Sequence, residues 1–160
     1  SAVGCSCIAA VYLVSMPAVD ASGRRVGGPE SYCDAVGWNG YPCPELDLFE
    51  ANRFAMTSTV HPCQPMHGAP DRWRDNLLNN ERYPKAEGAY YGACDNWGCA
   101  ANSRSLPANN YGPGEHYTIN TNSPFRVAVG FPVDASGNLR ELEITLSQGS
   151  ASVRVPYGCD

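Results

Sequence analysis

Lysine is almost missing from this 160-residue chain: Lys85 stands alone beside ten Arg, and the formal net charge is -5. A surface so short of cations has no basic stripe for a phosphate backbone or an anionic bilayer, which argues against nucleic-acid and membrane partners. Long apolar runs are missing too. The longest, Ile8 to Val14, has seven residues, against the roughly 20 that a spanning helix requires. Leu, Ile, Val and Phe together supply only 28 residues, beside sixteen Gly and thirteen Pro, so the core is expected to be thin, the chain rich in turns, and a helical bundle excluded. None of the twelve Asn heads an Asn-x-Ser/Thr sequon, since Asn122-Ser123 is followed by Pro124, and N-glycosylation is not expected. His61, His67 and His116 show no paired ligand spacing, so neither a metal centre nor any other cofactor is implied. The chain opens on Ser1 with neither Met nor a signal-like stretch, as expected of a processed protein or a piece of something longer.

What the chain does have is cysteine, eight residues of it. In so loop-rich a sequence this points to disulfides that supplement a weak core, and hence to a secreted, extracellular protein. Zinc is the rival reading, and the spacings Cys5 to Cys7 and Cys94 to Cys99 do not favour it. The length suits one domain, residues 1–160.

Short strands between turns dominate the pattern. Ile8 to Met16 is apolar on both faces and predicts a buried strand ended by Pro17 and the turn Asp20-Ala21-Ser22-Gly23. Phe125, Val127, Val129 and Phe131 alternate with smaller or polar residues, as do Leu142, Ile144 and Leu146, which predicts a hairpin closed by Val133-Asp134-Ala135-Ser136-Gly137 with its Gly at positive φ. Tyr117 with Ile119, and Val153 with Val155, predict two further strands. Residues 64–113 lack periodicity and read as loop, with one helical turn near Trp73 to Asn79.

The segment Pro44-Glu45-Leu46-Asp47-Leu48-Phe49-Glu50-Ala51-Asn52 carries the most chemistry. With Leu46 and Leu48 in a core, Glu45 and Asp47 share the opposite face, and Glu50 joins them only if a bulge at Phe49 reverses its parity. Three acids so placed could bring two Glu carboxyls to the roughly 5 to 5.5 Å of a retaining glycosidase, and crowding would raise the proton affinity of one of them. An edge strand whose acids deter aggregation is the plainer alternative.

The order of surrounding motifs tips this balance. Val11 to Met16, Tyr32-Cys33-Asp34, Cys43 ahead of Glu45 to Asn52, His61-Pro62-Cys63, Cys94-Asp95-Asn96-Trp97-Gly98-Cys99, Tyr111-Gly112-Pro113-Gly114 and Tyr117 to Thr121 follow one another. The series resembles the central part of glycoside hydrolase family seven, the fungal-type cellobiohydrolases and endoglucanases, which share their acidic strand with the family-sixteen laminarinases. The resemblance implies an all-β, antiparallel sandwich of jelly-roll type, here truncated, disulfide-rich and long-looped, that cleaves β-1,4-glucan with retention. By position it implies Glu45 as nucleophile, Asp47 as the acid that orients it, Glu50 as general acid/base and His61 near the cleavage point. Phe49 stands where the family usually has Trp. Trp38, Trp73 and Trp97 could stack on sugar rings or simply pack loops.

The resemblance also sorts the cysteines: Cys33 with Cys43, Cys63 with Cys94, and Cys99 with Cys159, the one partner remaining downstream. Cys5 and Cys7 are left without a mate. Two readings of function follow: a secreted β-glucan hydrolase, or a non-catalytic structural or glycan-binding subunit of a larger assembly that meets a protein partner through its sheet edges, Cys5 or Cys7.

Overall fold

A computed structural model describes residues 7–18, 24–26, 28, 30–37, 42–63, 94, 95 and 98–157. Nine strands are found there: β1 (Ala9–Val14), β2 (Glu45–Ala51), β3 (Met56–His61), β4 (Cys99–Asn102), β5 (Tyr111–Gly112), β6 (Ile119–Asn120), β7 (Arg126–Gly130), β8 (Glu143–Gln148) and β9 (Ala151–Val155). The one helical element among the described residues is a 3-10 turn, Ser103–Ser105, so the chain is all-β, as expected, and no helix there is long and apolar enough to cross a membrane. Strands β1-β2-β3-β4 form one sheet, β7-β8-β9 a second, and β5 and β6 a small parallel pair.

Two compact units share the chain, and both are discontinuous in sequence. The first gathers Ser1–Val11, Leu48–Thr59 and Cys99–Asp160. The predicted hairpin organises it: β8 is central in its sheet, pairing antiparallel with β7 (Val129 opposite Ile144) and with β9 (Ile144 opposite Val155). Alternation puts Ile144, Leu146, Val153 and Val155 on one face, and they bury against Ala51, Met56, Ala101, Tyr111 and Ile119. Removing each such large aliphatic side chain from water contributes about 1.5–3 kcal/mol. Phe49, on the other sheet, and Phe125 meet edge to face at 6.2 Å, so Phe49 does lie on a packed face. Asn52 shapes the β2–β3 turn by accepting from the amides of Phe54 and Ala55 at 2.8 and 3.1 Å, and its carbonyl accepts from the Tyr111 hydroxyl at 2.8 Å. In the predicted loop Asp134 Oδ1 accepts from the amides of Ser136 and Asn138, and Gly137 takes φ 84°, a value that side-chain-bearing residues avoid.

The second unit comprises Tyr12–Asp47 and Val60–Gly98. Its small apolar cluster is Ala18, Cys33 and Cys43, with Val14 and Val26 against it. Disulfides Cys33–Cys43 and Cys63–Cys94 are formed as the resemblance implied. Cys99 is also disulfide-bonded; Cys159 and Cys5 lie outside the described residues, and Cys7 is an exposed free thiol.

Several expectations are corrected. The strand at Ile8 to Met16 is exposed: Ile8 and Val11 are each 60% exposed and Leu13 53%, because β1 is an edge strand that lends an apolar cluster no more than the half-buried Val14. Leu46 and Leu48 are half-buried and belong to neither apolar cluster, whereas Asp47 between them is buried. Tyr117 is no strand residue. Its ring lies over Gly112, where a Cβ would collide with it. Phe131 lies past the end of β7 and is exposed. The loop expected over 64–113 contains β4, the 3-10 turn and β5, because Ala101 and Tyr111 bury in the core of the first unit. The helical turn expected near Trp73 to Asn79 lies outside the described residues, as does the turn Asp20 to Gly23.

Candidate active site

Cys43 brings the chain onto β2 two residues before Glu45, and the bridged Cys33 is followed by Asp34 and Ala35. The bridge is closed from behind by the Cys43 amide, which donates to the Asp34 carbonyl at 2.9 Å. Asp34 Oδ1 accepts from the Gly37 amide at 2.8 Å, curling residues 34–37 into a tight turn. The result is a backbone donor: the Ala35 N–H reaches Glu45 Oε2 at 2.9 Å.

A second, similar arrangement holds His61. Cys63 lies two residues beyond it, bonded to Cys94, and the Asp95 amide donates to the Pro62 carbonyl at 3.0 Å. The Asp95 carbonyl then meets His61 Nδ1 at 2.6 Å, while His61 Nε2 meets Asp47 Oδ2 at 3.0 Å. A carbonyl oxygen can only accept, so Nδ1 carries a proton, and below the raised pKa of His61 Nε2 carries one too and donates to Asp47. With both nitrogens donating, His61 is the imidazolium of a buried ion pair, its side chain 12% and that of Asp47 7% exposed.

The charges follow from this geometry. Burial works against the His61 cation, but the hydrogen bonds to Asp47 and the Asp95 carbonyl, with the charges of Asp47 and Glu45, outweigh it and raise its pKa above the ordinary 6.5. Burial, first, raises Glu45 above its ordinary 4.5; the Ala35 N–H opposes this, the negative charges of Asp47 and Asp34 reinforce it, and His61 opposes it. The raised proton affinity falls on Glu45, the expected nucleophile, and burial rather than crowding is its first cause.

Thus the structure gathers Glu45, Asp47 and His61 in the second unit. Glu50 follows on β2 in the first unit, half-buried, beside a cavity of about 290 Å³ that is also lined by Ile8, Thr57, Asn102, Ser103 and Arg104. Its neighbours Phe49 and Ala51 pack into the first unit's core, which turns Glu50 to the opposite face. Trp38 and Trp97 lie outside the described residues. The reading of motifs missed Ala35, Asp34 and Asp95 as functional groups. Two of the three act through the backbone, which residue type does not reveal; the available signal was their place one or two residues after Cys33 and Cys94.

The fold is of the β-sandwich class, and its strand β2 carries Glu45, Asp47 and Glu50, with a buried histidine bracing Asp47. The sequence profile of Glycosyl hydrolase family 7 matches residues 26–157, and the chain belongs to that family. It is 30% identical over 137 residues to Endoglucanase 1 of Pyricularia oryzae, covering 77% of this chain and 30% of that protein. It is 29% identical to an endo-beta-1,4-glucanase of Emericella nidulans, covering 100% of this chain and 43% of the relative. Among solved structures, an endoglucanase I complexed with cellobiose superposes with a TM-score of 0.62 at 25% identity, covering 91% of this chain and 39% of that one. The E197A mutant of a Humicola insolens endocellulase gives the same score and identity over 94% and 41%. The chain thus spans less than half the length of these relatives.

Proposed function

We propose that this chain is the site-bearing part of a single secreted glycoside hydrolase domain that cleaves β-1,4-glucan, or a mixed-linkage glucan, by retaining double displacement. The observation that carries this reading is the preparation of Glu45: one oxygen is fixed by the Ala35 N–H at 2.9 Å, and its neighbour Asp47 is neutralised by His61. Glu45 attacks the anomeric carbon through its other oxygen while Glu50 protonates the leaving glycosidic oxygen. Glu50 then deprotonates a water that releases the glycosyl-enzyme. Asp47 orients Glu45, and His61 keeps Asp47 from repelling the charge that Glu45 must carry. The relatives named for endoglucanase activity support the choice of substrate, and the cavity beside Glu50 and Arg104 has room for part of a leaving sugar.

Product analysis by NMR on soluble β-glucans tests this. The wild type should release sugar with retained anomeric configuration, and Glu45→Gln should remove turnover without unfolding the chain. The exposed apolar side chains of β1 favour a second reading, a subunit whose partner covers that strand. If the wild type releases no more sugar than Glu45→Gln yet binds glucan or assembles, the second reading replaces the first.

A further inference from the structure

The mechanism uses Glu45, Asp47, Glu50 and His61 but leaves unexplained a second buried carboxylate. Asp34 is 7% exposed and lies on a loop rather than on β2. Its side chain accepts from the Gly37 amide at 2.8 Å and from the Tyr32 hydroxyl, which is itself 3.3 Å from the Tyr12 hydroxyl. Its carbonyl accepts from the Cys43 amide at 2.9 Å, inside the Cys33–Cys43 bridge. Every one of these contacts tightens the turn whose next amide, Ala35 N–H, holds Glu45 Oε2.

We propose that Asp34 is a positioning residue for Glu45: locked by the Cys33–Cys43 bridge, it fixes the loop that delivers the Ala35 N–H to one carboxylate oxygen and sets a second buried negative charge beside it. The proposal rests on the hydrolase reading for its biological meaning and not for its geometry. The charged groups that act on Glu45 are Asp47 on its own strand, His61 on β3 and Asp34 on this loop. Asp47 is matched by His61, and Asp34 adds its charge to Glu45 from outside that pair. Its two effects oppose each other. The donated N–H favours the glutamate anion, and the added charge disfavours it. Asp34 thereby sets the pH at which Glu45 becomes able to attack.

Asp34→Asn separates the two effects, because the amide keeps an oxygen for the Gly37 N–H and keeps the backbone while removing the charge. In the labelled full chain, the Glu45 carboxyl carbon resonance, assigned by its loss in Glu45→Gln, should titrate at lower pH in Asp34→Asn than in the wild type. Both bridges should remain on non-reducing peptide mapping. In the wild type, the Ala35 amide proton should follow the Glu45 titration and the Gly37 amide held by Asp34 Oδ1 should shift with it, a measurement that tests the coupling of the Asp34 loop to Glu45 even if Asp34→Asn does not fold. A Glu45 midpoint that stays put or rises in Asp34→Asn, or an Ala35 amide that does not follow Glu45, would overturn the proposal. Neither readout requires turnover, so a chain that cleaves no glucan refutes the hydrolase reading and leaves this one still decided. In an active protein the acidic limb of kcat/KM moves down with the Glu45 midpoint.

Discussion

The two units solve the problem of a thin core differently. The first buries Ile119, Ile144, Leu146, Val153 and Val155 against one another. The second buries sulfur and charge: Cys33 and Cys43 at the centre of its small cluster, and Asp34, Asp47 and Asp95 as buried polar groups. Aliphatic packing is non-directional and excludes water, which suits a scaffold. Cross-links and hydrogen bonds fix direction and tolerate ionised groups, which suits a site that must present carboxylates at set orientations. The Cys33–Cys43 bridge serves the donor to Glu45 and the Cys63–Cys94 bridge serves the acceptor from His61, so Glu45 and His61 each have their own staple.

The largest stability effect is expected in the first unit. Leu146→Ala removes a side chain that is 0% exposed at the centre of the sandwich and should cost about 2–5 kcal/mol in urea unfolding. A cost below about 1 kcal/mol would show that the aliphatic core does not carry that unit, and the contrast between the units would fail. Opening the second staple by Cys63→Ser with Cys94→Ser should cost about 2–4 kcal/mol. Unlike Leu146→Ala it should also lower the His61 titration midpoint, because the Asp95 carbonyl is no longer held against Nδ1. An unchanged His61 midpoint would mean that the bridge stabilises the chain without positioning the site.

The same contrast explains how much could be read from the sequence. The first unit was legible where period-two alternation reports burial directly: the β7–β8 hairpin, its Asp134 to Gly137 turn and strand β9 all stand where alternation put them. Alternation failed at β1, whose apolar side chains are exposed, because hydrophobicity states what a strand can bury and not what is present to cover it. It failed at Leu46 and Leu48 because Asp47, paired with His61, takes the buried place between them. In the second unit periodicity said little, and the order of motifs around the cysteines said most. That order supplied both described bridges and pointed to Glu45, Asp47 and His61, but the backbone donor and acceptor that hold them could not be read from side-chain identity.

The ion pair in the second unit makes a pH-dependent prediction. A histidine whose folded pKa lies above its unfolded value stabilises the fold in full below the unfolded value, near 6.5, and the contribution is lost as pH rises through the raised folded value. His61→Gln should therefore be less stable than the wild type by about 1.5–3 kcal/mol in mildly acidic buffer, the range of a hydrogen bond to a charged group. The gap should narrow at alkaline pH. Urea midpoints at two pH values check this; a gap that widens with pH would mean that His61 is buried as the neutral base and that the assignment of both its protons is wrong.

The smallest effect is expected from an exposed ion pair of the first unit. Arg154 Nη2 lies 2.9 Å from Glu143 Oε1, shorter than the 3.0 Å between His61 and Asp47, and it also reaches Glu141 at 3.7 Å. Distance alone would rank it as the stronger pair. Its side chains, however, are 61% and 43% exposed, so water screens the attraction and ordering two long side chains offsets what is left. Arg154→Ala should change stability by about 0–1 kcal/mol and should lose even that in high salt. His61→Gln in acidic buffer should keep most of its effect in the same salt, because its partner is buried. If Arg154→Ala cost as much as His61→Gln, burial would not be what separates the two pairs, and the view of the second unit as the place where charge is put to structural use would have to be given up.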